Sequence, residues 1–298
     1  MKGKVIDVSA YQGNIDWTKV KKAGVDGAIL KIIRKDLTPD KKFEEYYAGC
    51  QKADVAVVGV YNYSYATTAS KAREDAKAVI KILNGRKVKV WLDVEDNCQK
   101  NLGIKLVDII NAYKTVIEDA GLEFGVYTGL SFYNSFIKPY AKYIGCKFWI
   151  ARYPSTAQIS VSATPNATKQ PVISHVLEGW QYSSKGVVPG ISGNVDLDEW
   201  YGDITKTKTV YEGCQYPIPT RVIYYRKPIM MSGEDVKWIQ HHLIRLGFLA
   251  KKNSKGKSNI DGYAGKDFDT AVRKAQSHFG VVADGKVGAE TREVLRWN

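Results

Sequence analysis

Two acidic residues, Asp93 and Glu95, follow an apolar segment in the sequence VWLDVED at 90–96. Residues two apart in a β-strand project from the same side, so both carboxyl groups are predicted to point the same way. Two carboxyl groups held together in a cleft acquire different pKa values, so one stays ionised while the other holds a proton. Glycoside hydrolysis requires that division of roles. The pair therefore predicts acid–base chemistry.

Two further aspartates, Asp7 and Asp196, lie in the first and last predicted strands of the same region. The first and last strands of a closed barrel are neighbours, so these residues are expected to face the same opening as Asp93 and Glu95. Clustered carboxylates repel one another, and charged groups are rarely buried without partners. Stability therefore does not explain the pattern, and we predict that all four acids form a catalytic site.

Aromatic and amide side chains accumulate near the same strand ends. Sugar rings present apolar C–H faces that stack on aromatic rings, while sugar hydroxyl groups pair with amides. Packing of the barrel interior is the alternative explanation for each aromatic residue. The predicted sugar-binding residues are Tyr61, Tyr63, Tyr127, Tyr153, Trp180 and Gln181.

The sequence lacks the spacings typical of metal and nucleophile sites. Its four histidines form no HxH or HExxH pattern, and its four cysteines are too dispersed for a zinc site or a dense disulfide framework. No GxSxG or GxxxxGK[ST] segment is present either. We therefore expect no metal and no cofactor, and an amidase or peptidase is disfavoured.

The net charge of +13 favours an acidic partner, and residues 203–298 contribute +7 of it. Nucleic acid is not the expected partner, because the aromatic residues gather with acids rather than with basic residues. No apolar segment approaches the roughly 20 residues that span a bilayer. The N-terminus does not resemble a signal peptide, since acidic Asp7 follows only a few apolar residues. We expect synthesis in the cytoplasm and no membrane insertion.

The arrangement of secondary structure predicts an α/β fold. Strand-like and helix-like segments alternate, which indicates parallel strands with right-handed crossovers, and eight strands indicate a closed barrel. Residues 154–174 show no helical face, so we predict an irregular (β/α) barrel of five βα units followed by three further strands. The predicted strands lie near 5–7, 28–32, 57–63, 88–93, 124–127, 148–151, 176–182 and 195–197.

The chain is predicted to contain two domains. Residues 1–202 form the barrel, and residues 203–230, rich in Thr, Lys and Pro, form a linker. Residues 231–298 form a small all-α module of three helices, the first capped by Ser232. Two DGxxG turns, at 261–265 and 284–288, mark a weak internal repeat.

Seven segments of the barrel, in order, resemble glycoside hydrolase family 25, the muramidases common in phage endolysins. They are DVSAYQG (7–13), VGVYNY (58–63), WLDVED (91–96), GVYTG (125–129), FWIARY (148–153), WQYSS (180–184) and GNVDLD (193–198).

The resemblance implies a lysozyme that hydrolyses the β-1,4 bond between N-acetylmuramic acid and N-acetylglucosamine in bacterial peptidoglycan and so lyses the host cell. It implies that Glu95 is the general acid. Asp93 would orient the 2-acetamido group of the substrate or act on the intermediate, and Asp7 and Asp196 would complete the acidic floor. A bacterial autolysin with the same chemistry, or an inactive wall-binding lectin, remains the alternative. In each case the protein would reach the wall after release from the cytoplasm.

Residues 232–298 resemble a peptidoglycan-binding module, through GEDVKWIQHHLIRLGF (233–248) and DGKVGAETREVL (284–295). The implied partner is cell-wall peptidoglycan, and the basic segment 251–258 suggests anionic wall polymers as well. Met230 and Met231 precede this module and are the only methionines after Met1. An internal translation start there would produce a free module able to associate with the full chain.

Overall fold

The computed structural model describes residues 3–204 and 214–297, without the side chains of 293, 296 and 297. The chain divides into two compact units, Met1–Thr207 and Lys208–Asn298. Within the described residues, no helix is long and apolar enough to cross a membrane.

Eight strands of the first unit close into a barrel, as predicted. The order around the barrel is β6-β5-β4-β3-β2-β1-β9-β8, and β6 pairs with β8 to close it. Neighbours from β1 to β6 and the β6–β8 pair are parallel, whereas β9 is antiparallel to both β1 and β8. The strands are β1 Gly3–Val8, β2 Gly27–Lys31, β3 Ala56–Tyr63, β4 Val90–Asp93, β5 Phe124–Gly129, β6 Lys147–Ala151, β7 Ile159–Ser160 (at the edge of β8), β8 Leu177–Val187 and β9 Val195–Trp200.

Helices follow each of the first five strands, which confirms the five predicted βα units. Thr68 is the N-cap of α3, and its hydroxyl oxygen accepts a hydrogen bond from the Lys71 amide at 3.2 Å. The last of these helices is short and continues into a π-helical and a 3-10 turn through residue 143. The helices are α1 Trp17–Lys22, α2 Phe43–Ala53, α3 Ala69–Leu83, α4 Ile104–Asp119 and α5 Leu130–Phe132.

Three tryptophans, Trp91, Trp149 and Trp200, fill the barrel interior and meet edge to face, with ring centroids 5.6–6.2 Å apart. Glycines provide the space for these rings. A Cβ atom on Gly125 would lie 2.3 Å from the Trp91 ring, and one on Gly179 would lie 2.3 Å from the Trp200 ring. The interior is thus a packed core, and only its upper layer is available for chemistry.

The second unit contains α6 Glu234–Arg245, α7 Lys266–His278 and α8 Ala289–Trp297. The two DG turns are held in the same way by a glutamine of the preceding helix. Gln240 donates to Asp261 Oδ1 at 2.7 Å and accepts from the Gly262 amide, and Gln276 repeats both contacts with Asp284 and Gly285. The weak repeat seen in the sequence is therefore a repeated structural unit.

Two details of this unit differ from the prediction. Gly233, rather than Ser232, is the N-cap of α6, because Ser232 forms a β-bridge with Tyr263. The predicted linker 203–230 lies partly outside the described residues. Within its described part, Ile223 is fully buried in the core of the second unit and forms a β-bridge with Val287.

Candidate active site

The carboxyl ends of the parallel strands form one end of the barrel, called the mouth here. Asp93 is the last residue of β4, and the chain beyond it is fixed to β5 by two hydrogen bonds. Val94 donates its amide to the Tyr127 carbonyl at 2.9 Å, and Thr128 Oγ1 donates to the Val94 carbonyl at 2.6 Å. These bonds fix the backbone between the two acids of the pair, and the backbone amide of Gly129 lies near the Glu95 carboxylate.

The two acids of this pair have different surroundings. Asp93 is buried, and burial raises its pKa well above the ordinary value; Glu95 adds to the rise and Lys31 opposes it. Glu95 is half-buried, and burial raises its pKa while the Gly129 amide lowers it. Both groups are therefore biased toward the protonated form, as an acid catalyst requires.

Asp7 and Asp196 meet across the seam of the barrel, as predicted, because they are paired residues of β1 and β9. Burial and the carboxyl groups of Asp196, Asp198 and Asp93 raise the pKa of Asp7 well above its usual range. Burial, followed by the charge of Glu95, raises the pKa of Asp196 to about 6. The structure thus brings the four predicted acids into one electrostatic cluster.

A fifth carboxyl group, Asp198, belongs to this cluster and was not predicted. It follows Asp196 by two residues on β9, the same spacing that identified Asp93 and Glu95. That spacing was a usable signal in VDLD. Lys31, at the end of β2, was also missed, and it carries no distinctive sequence pattern. Tyr11, 89% exposed in the 3-10 helix Ala10–Gln12 that follows β1, lies within the DVSAYQG segment.

Gln181 was predicted to bind sugar, but its amide is buried and its described contacts are with protein groups. Its Nε2 donates to Asp7 Oδ2 at 2.7 Å. Its Oε1 accepts from Tyr127, at 2.8 Å, and from the Tyr153 hydroxyl. Gln181 therefore orients Asp7, and Tyr127, buried as well, orients Gln181.

The aromatic residues predicted to bind sugar divide into two groups. Tyr61 and Tyr63 are partly exposed, Tyr153 is 44% exposed, and the Tyr63 hydroxyl donates to Asp96 at 3.1 Å. Trp180 lies elsewhere: it is fully buried in the core outside the barrel, and its indole N–H donates to the Arg152 carbonyl. Its position in β8 alternates with Gln181, so the two side chains point to opposite faces of the strand.

The fold and the site together define a class of protein, namely a barrel enzyme with acidic residues at its mouth. Glycosyl hydrolases family 25 matches residues 6–191 and the peptidoglycan binding domain family matches residues 232–295. The chain belongs to glycosyl hydrolases family 25 and contains a C-terminal peptidoglycan-binding domain.

Individual relatives agree with this assignment. The autolytic lysozyme of Clostridium acetobutylicum is 27% identical over 98% of this chain and 77% of its own length. Lysozyme M1 of Streptomyces globisporus is 26% identical over 67% of this chain and 68% of its own.

Among solved structures, the modular autolysin LytC of Streptococcus pneumoniae has a TM-score of 0.55 and 28% identity over 67% of this chain. The match covers 47% of the length of that autolysin, so the chain spans about half of it. LytC has also been solved in complex with a synthetic peptidoglycan ligand.

Proposed function

We propose that this chain is a muramidase that hydrolyses the β-1,4 bond between N-acetylmuramic acid and N-acetylglucosamine in peptidoglycan. The observation that supports this most directly is the pair at the end of β4. Glu95 is half-buried with a raised pKa, so it is suited to protonate the leaving oxygen of the glycosidic bond. The lysozymes among its relatives support the same chemistry.

In this proposal the other acids act on the sugar that becomes positively charged during bond cleavage. Asp93 orients the 2-acetamido group or acts on the intermediate. Asp196, whose pKa of about 6 leaves it ionised at neutral pH, contributes negative charge at the mouth, which stabilises an oxocarbenium-like transition state, and Asp7 completes the acidic floor. Tyr61, Tyr63 and Tyr153 are the aromatic residues placed to contact sugar rings, and exposed Tyr11 is a further candidate.

Digestion of purified peptidoglycan with analysis of the new reducing ends tests the proposal. We expect N-acetylmuramic acid at those ends. N-acetylglucosamine ends or free peptides would show a different bond specificity. No new ends at all would favour the inactive lectin, whereas a bacterial autolysin and a phage endolysin would give the same muramic acid product.

We further propose that the basic segment of the second unit binds anionic wall polymers. Residues 251–258 form a small hairpin, with a β-bridge between Lys252 and Ser258 and a hydrogen bond of 2.8 Å from the Asn253 amide to the Lys257 carbonyl. The lysines of this hairpin are exposed, and none forms an ion pair within the described residues. A cavity of about 280 Å³ lies between the hairpin and α7.

Replacement of Lys252, Lys255 and Lys257 by Gln tests this role, with Lys286→Gln at the second DG turn as the matched control. We expect the triple variant to lose retention on walls that contain anionic polymers and to bind walls stripped of them as the control does. Equal retention of both variants on unstripped walls would assign wall binding to another surface.

The internal start at Met230 or Met231 remains a prediction. A free module made in this way would have to fold without two residues that contribute to the second unit. A fragment that begins there lacks Ile223, which is buried in the core, and Arg221, whose guanidinium lies 2.7 Å from Asp235. Replacing both methionines by Leu should remove a small C-terminal product from expression. A small product that persists in the variant, or is missing from the wild type, would contradict the idea.

A further inference from the structure

The two DG turns of the second unit share one set of backbone hydrogen bonds but differ in a side chain. Tyr263 and Lys286 each follow the glycine of their turn, and each donates its amide to the aspartate of that turn, at 3.0 and 2.8 Å. Each carbonyl accepts from the glutamine that holds the turn, at 3.0 Å. The turn therefore uses only the backbone at this place, and the side chain of Tyr263, a residue that is 54% exposed, has no part in forming it.

The first turn also differs from the second in the length of chain that precedes it. Gln240 precedes Asp261 by 21 residues, whereas Gln276 precedes Asp284 by 8. The additional residues include the hairpin 251–258, and a cavity of about 180 Å³ lies between this insertion, the first DG turn and the start of α7. Apart from Gln240, the polar residues that line the cavity are Asn253, Asn259, Asp261, Tyr263, Lys266 and Asp267.

Two asparagine side chains in this lining keep hydrogen-bonding groups without a partner among the described residues. Asn253 Oδ1 accepts from the amides of Lys255 and Lys257, at 2.9 and 3.1 Å, and its Nδ2 group remains available as a donor. Asn259 Nδ2 donates to the Ala250 carbonyl at 2.9 Å, and its Oδ1 remains available as an acceptor. One donor and one acceptor are what an acetamido group requires, because it presents a carbonyl and an N–H.

The charged groups of the cavity disfavour an anionic ligand. Asp261 and Asp267 line it with a single cation, Lys266, and neither Asp267 nor Lys266 forms an ion pair within the described residues. The neighbouring cavity of about 280 Å³ has the opposite balance, since Lys252 and Lys274 line it with Asp267 as the acid. An anionic polymer is therefore attracted to the neighbouring cavity, and an uncharged ligand suits this one.

We propose that this cavity binds an N-acetylhexosamine of the glycan strand, so that the second unit holds the same polymer that the barrel cleaves. The Tyr263 ring stacks on the C–H face of the sugar, and the asparagine side chains pair with its acetamido group. The carboxylates of Asp261 and Asp267 accept from sugar hydroxyls. The inference rests on the proposed function only in taking the glycan strand of peptidoglycan as the ligand.

Amide NMR spectra of the full chain test this site, because residues of the mouth and of the cavity give separate signals. The chain carries Glu95→Gln, so that the probe, a β-1,4-linked tetramer of N-acetylglucosamine, is not cleaved. We expect the amide signals of Asn259, Tyr263 and Asp267 to shift as the tetramer is added. Tyr263→Ala should weaken the affinity measured at Asn259 by at least about 5-fold, whereas Lys286→Ala, the same change at the second turn, should leave it unchanged.

Equal affinities of the two variants, or cavity signals that do not respond to the tetramer, would overturn the proposal. Cavity signals that respond to an isolated wall peptide and not to the tetramer would assign the cavity to the peptide and overturn it as well. If Tyr263→Ala does not fold, Asp267→Asn decides, because it changes an exposed side chain without an ion pair. It should weaken the affinity by about 5-fold, and an unchanged affinity would contradict the proposal.

The sugar site and the muramidase activity can fail separately. A wild-type chain that releases no reducing ends, with cavity signals that still respond to the tetramer, would reject the activity and keep the site. An active wild type whose cavity signals do not respond would reject the site alone.

Discussion

Charged side chains lie at both ends of the barrel, and the two ends balance their charge differently. At the end opposite the mouth, buried Lys89 forms an ion pair with buried Glu178, and its ammonium lies 4.5 Å from the centroid of the Trp91 ring. Lys147 and Glu123 add partners at 3.6 and 3.8 Å. At the mouth, five carboxyl groups cluster, and Lys31 is the cation that acts on Asp93.

The difference shows which end is arranged for stability and which for chemistry. Buried charges with matched partners avoid the cost of an uncompensated charge. Five acids in one cluster cannot all remain ionised at low cost, so the fold holds some of them protonated. That protonation destabilises the folded chain at neutral pH and provides the proton donor that glycoside hydrolysis requires.

The largest expected effect is on activity at the mouth. Glu95→Gln keeps the size of the side chain and removes its proton, so turnover of peptidoglycan should fall by at least ~10²-fold. Release of reducing ends from purified walls measures this. Glu123→Gln makes the same change at the opposite end, on a side chain that is 76% exposed, and should retain full activity. Equal activity of both variants would remove Glu95 from the acid role.

The next effect is on stability at the opposite end. Glu178→Gln leaves the Lys89 ammonium buried without its main partner, so the free energy of unfolding should fall by about 3 kcal/mol. Urea denaturation measures the change. Activity per folded molecule should stay the same, because Glu178 is at the far end of the barrel from the mouth. A variant of unchanged stability would show that this ion pair does not contribute.

A substitution at the mouth should have a smaller effect on stability, and it should stabilise the fold rather than destabilise it. The pKa of Asp196 is raised from 3.8 to about 6, so the folded chain binds more protons than the unfolded chain between these values. Its contribution to stability is therefore greatest at low pH and is lost as the pH rises toward 6. Asp196→Asn should be more stable than the wild type at pH 7, by on the order of 1 kcal/mol, and equally stable below pH ~4. Thermal unfolding at both pH values tests the sign, and a less stable variant at pH 7 would contradict it.

The smallest effect on stability should come from substituting Glu123, an exposed residue at the end of the barrel opposite the mouth. Glu123 lies 3.8 Å from Lys89, but solvent screens an exposed pair at that distance. Glu123→Gln should change the free energy of unfolding by less than about 0.5 kcal/mol. A loss as large as that of Glu178→Gln would mean that exposed and buried partners of Lys89 are equivalent, and the comparison between the two ends would need revision.

Much of the fold follows from local patterns in the sequence. Alternating strand and helix segments predict the barrel, and the missing helical face at 154–174 predicts its irregular last part. The antiparallel direction of β9 was not predicted, because a strand segment contains no information about its direction in a sheet. Ser232 was misassigned as a cap since its competing β-bridge with Tyr263 is a tertiary contact.

The candidate site was predictable to the extent that it depends on strand ends. Asp7, Asp93, Glu95 and Asp196 were identified because the ends of barrel strands converge, whatever their distance in sequence. Trp180 and Gln181 show the limit of this reasoning. Both lie near the same strand end, yet the Trp180 side chain packs in the core outside the barrel, whereas the Gln181 amide forms hydrogen bonds with other protein side chains.

Residue type and short-range spacing are enough to predict the class of fold, the acids of the mouth and the family motifs. Which acids share partners, and how their protons are distributed, depends on contacts between strands that are distant in the chain. Burial and the distances between strands set those pKa values, and both arise when the barrel closes. The pairing of β1 with β9 brings Asp7 next to Asp196 and Asp198, across nearly the whole length of the barrel sequence.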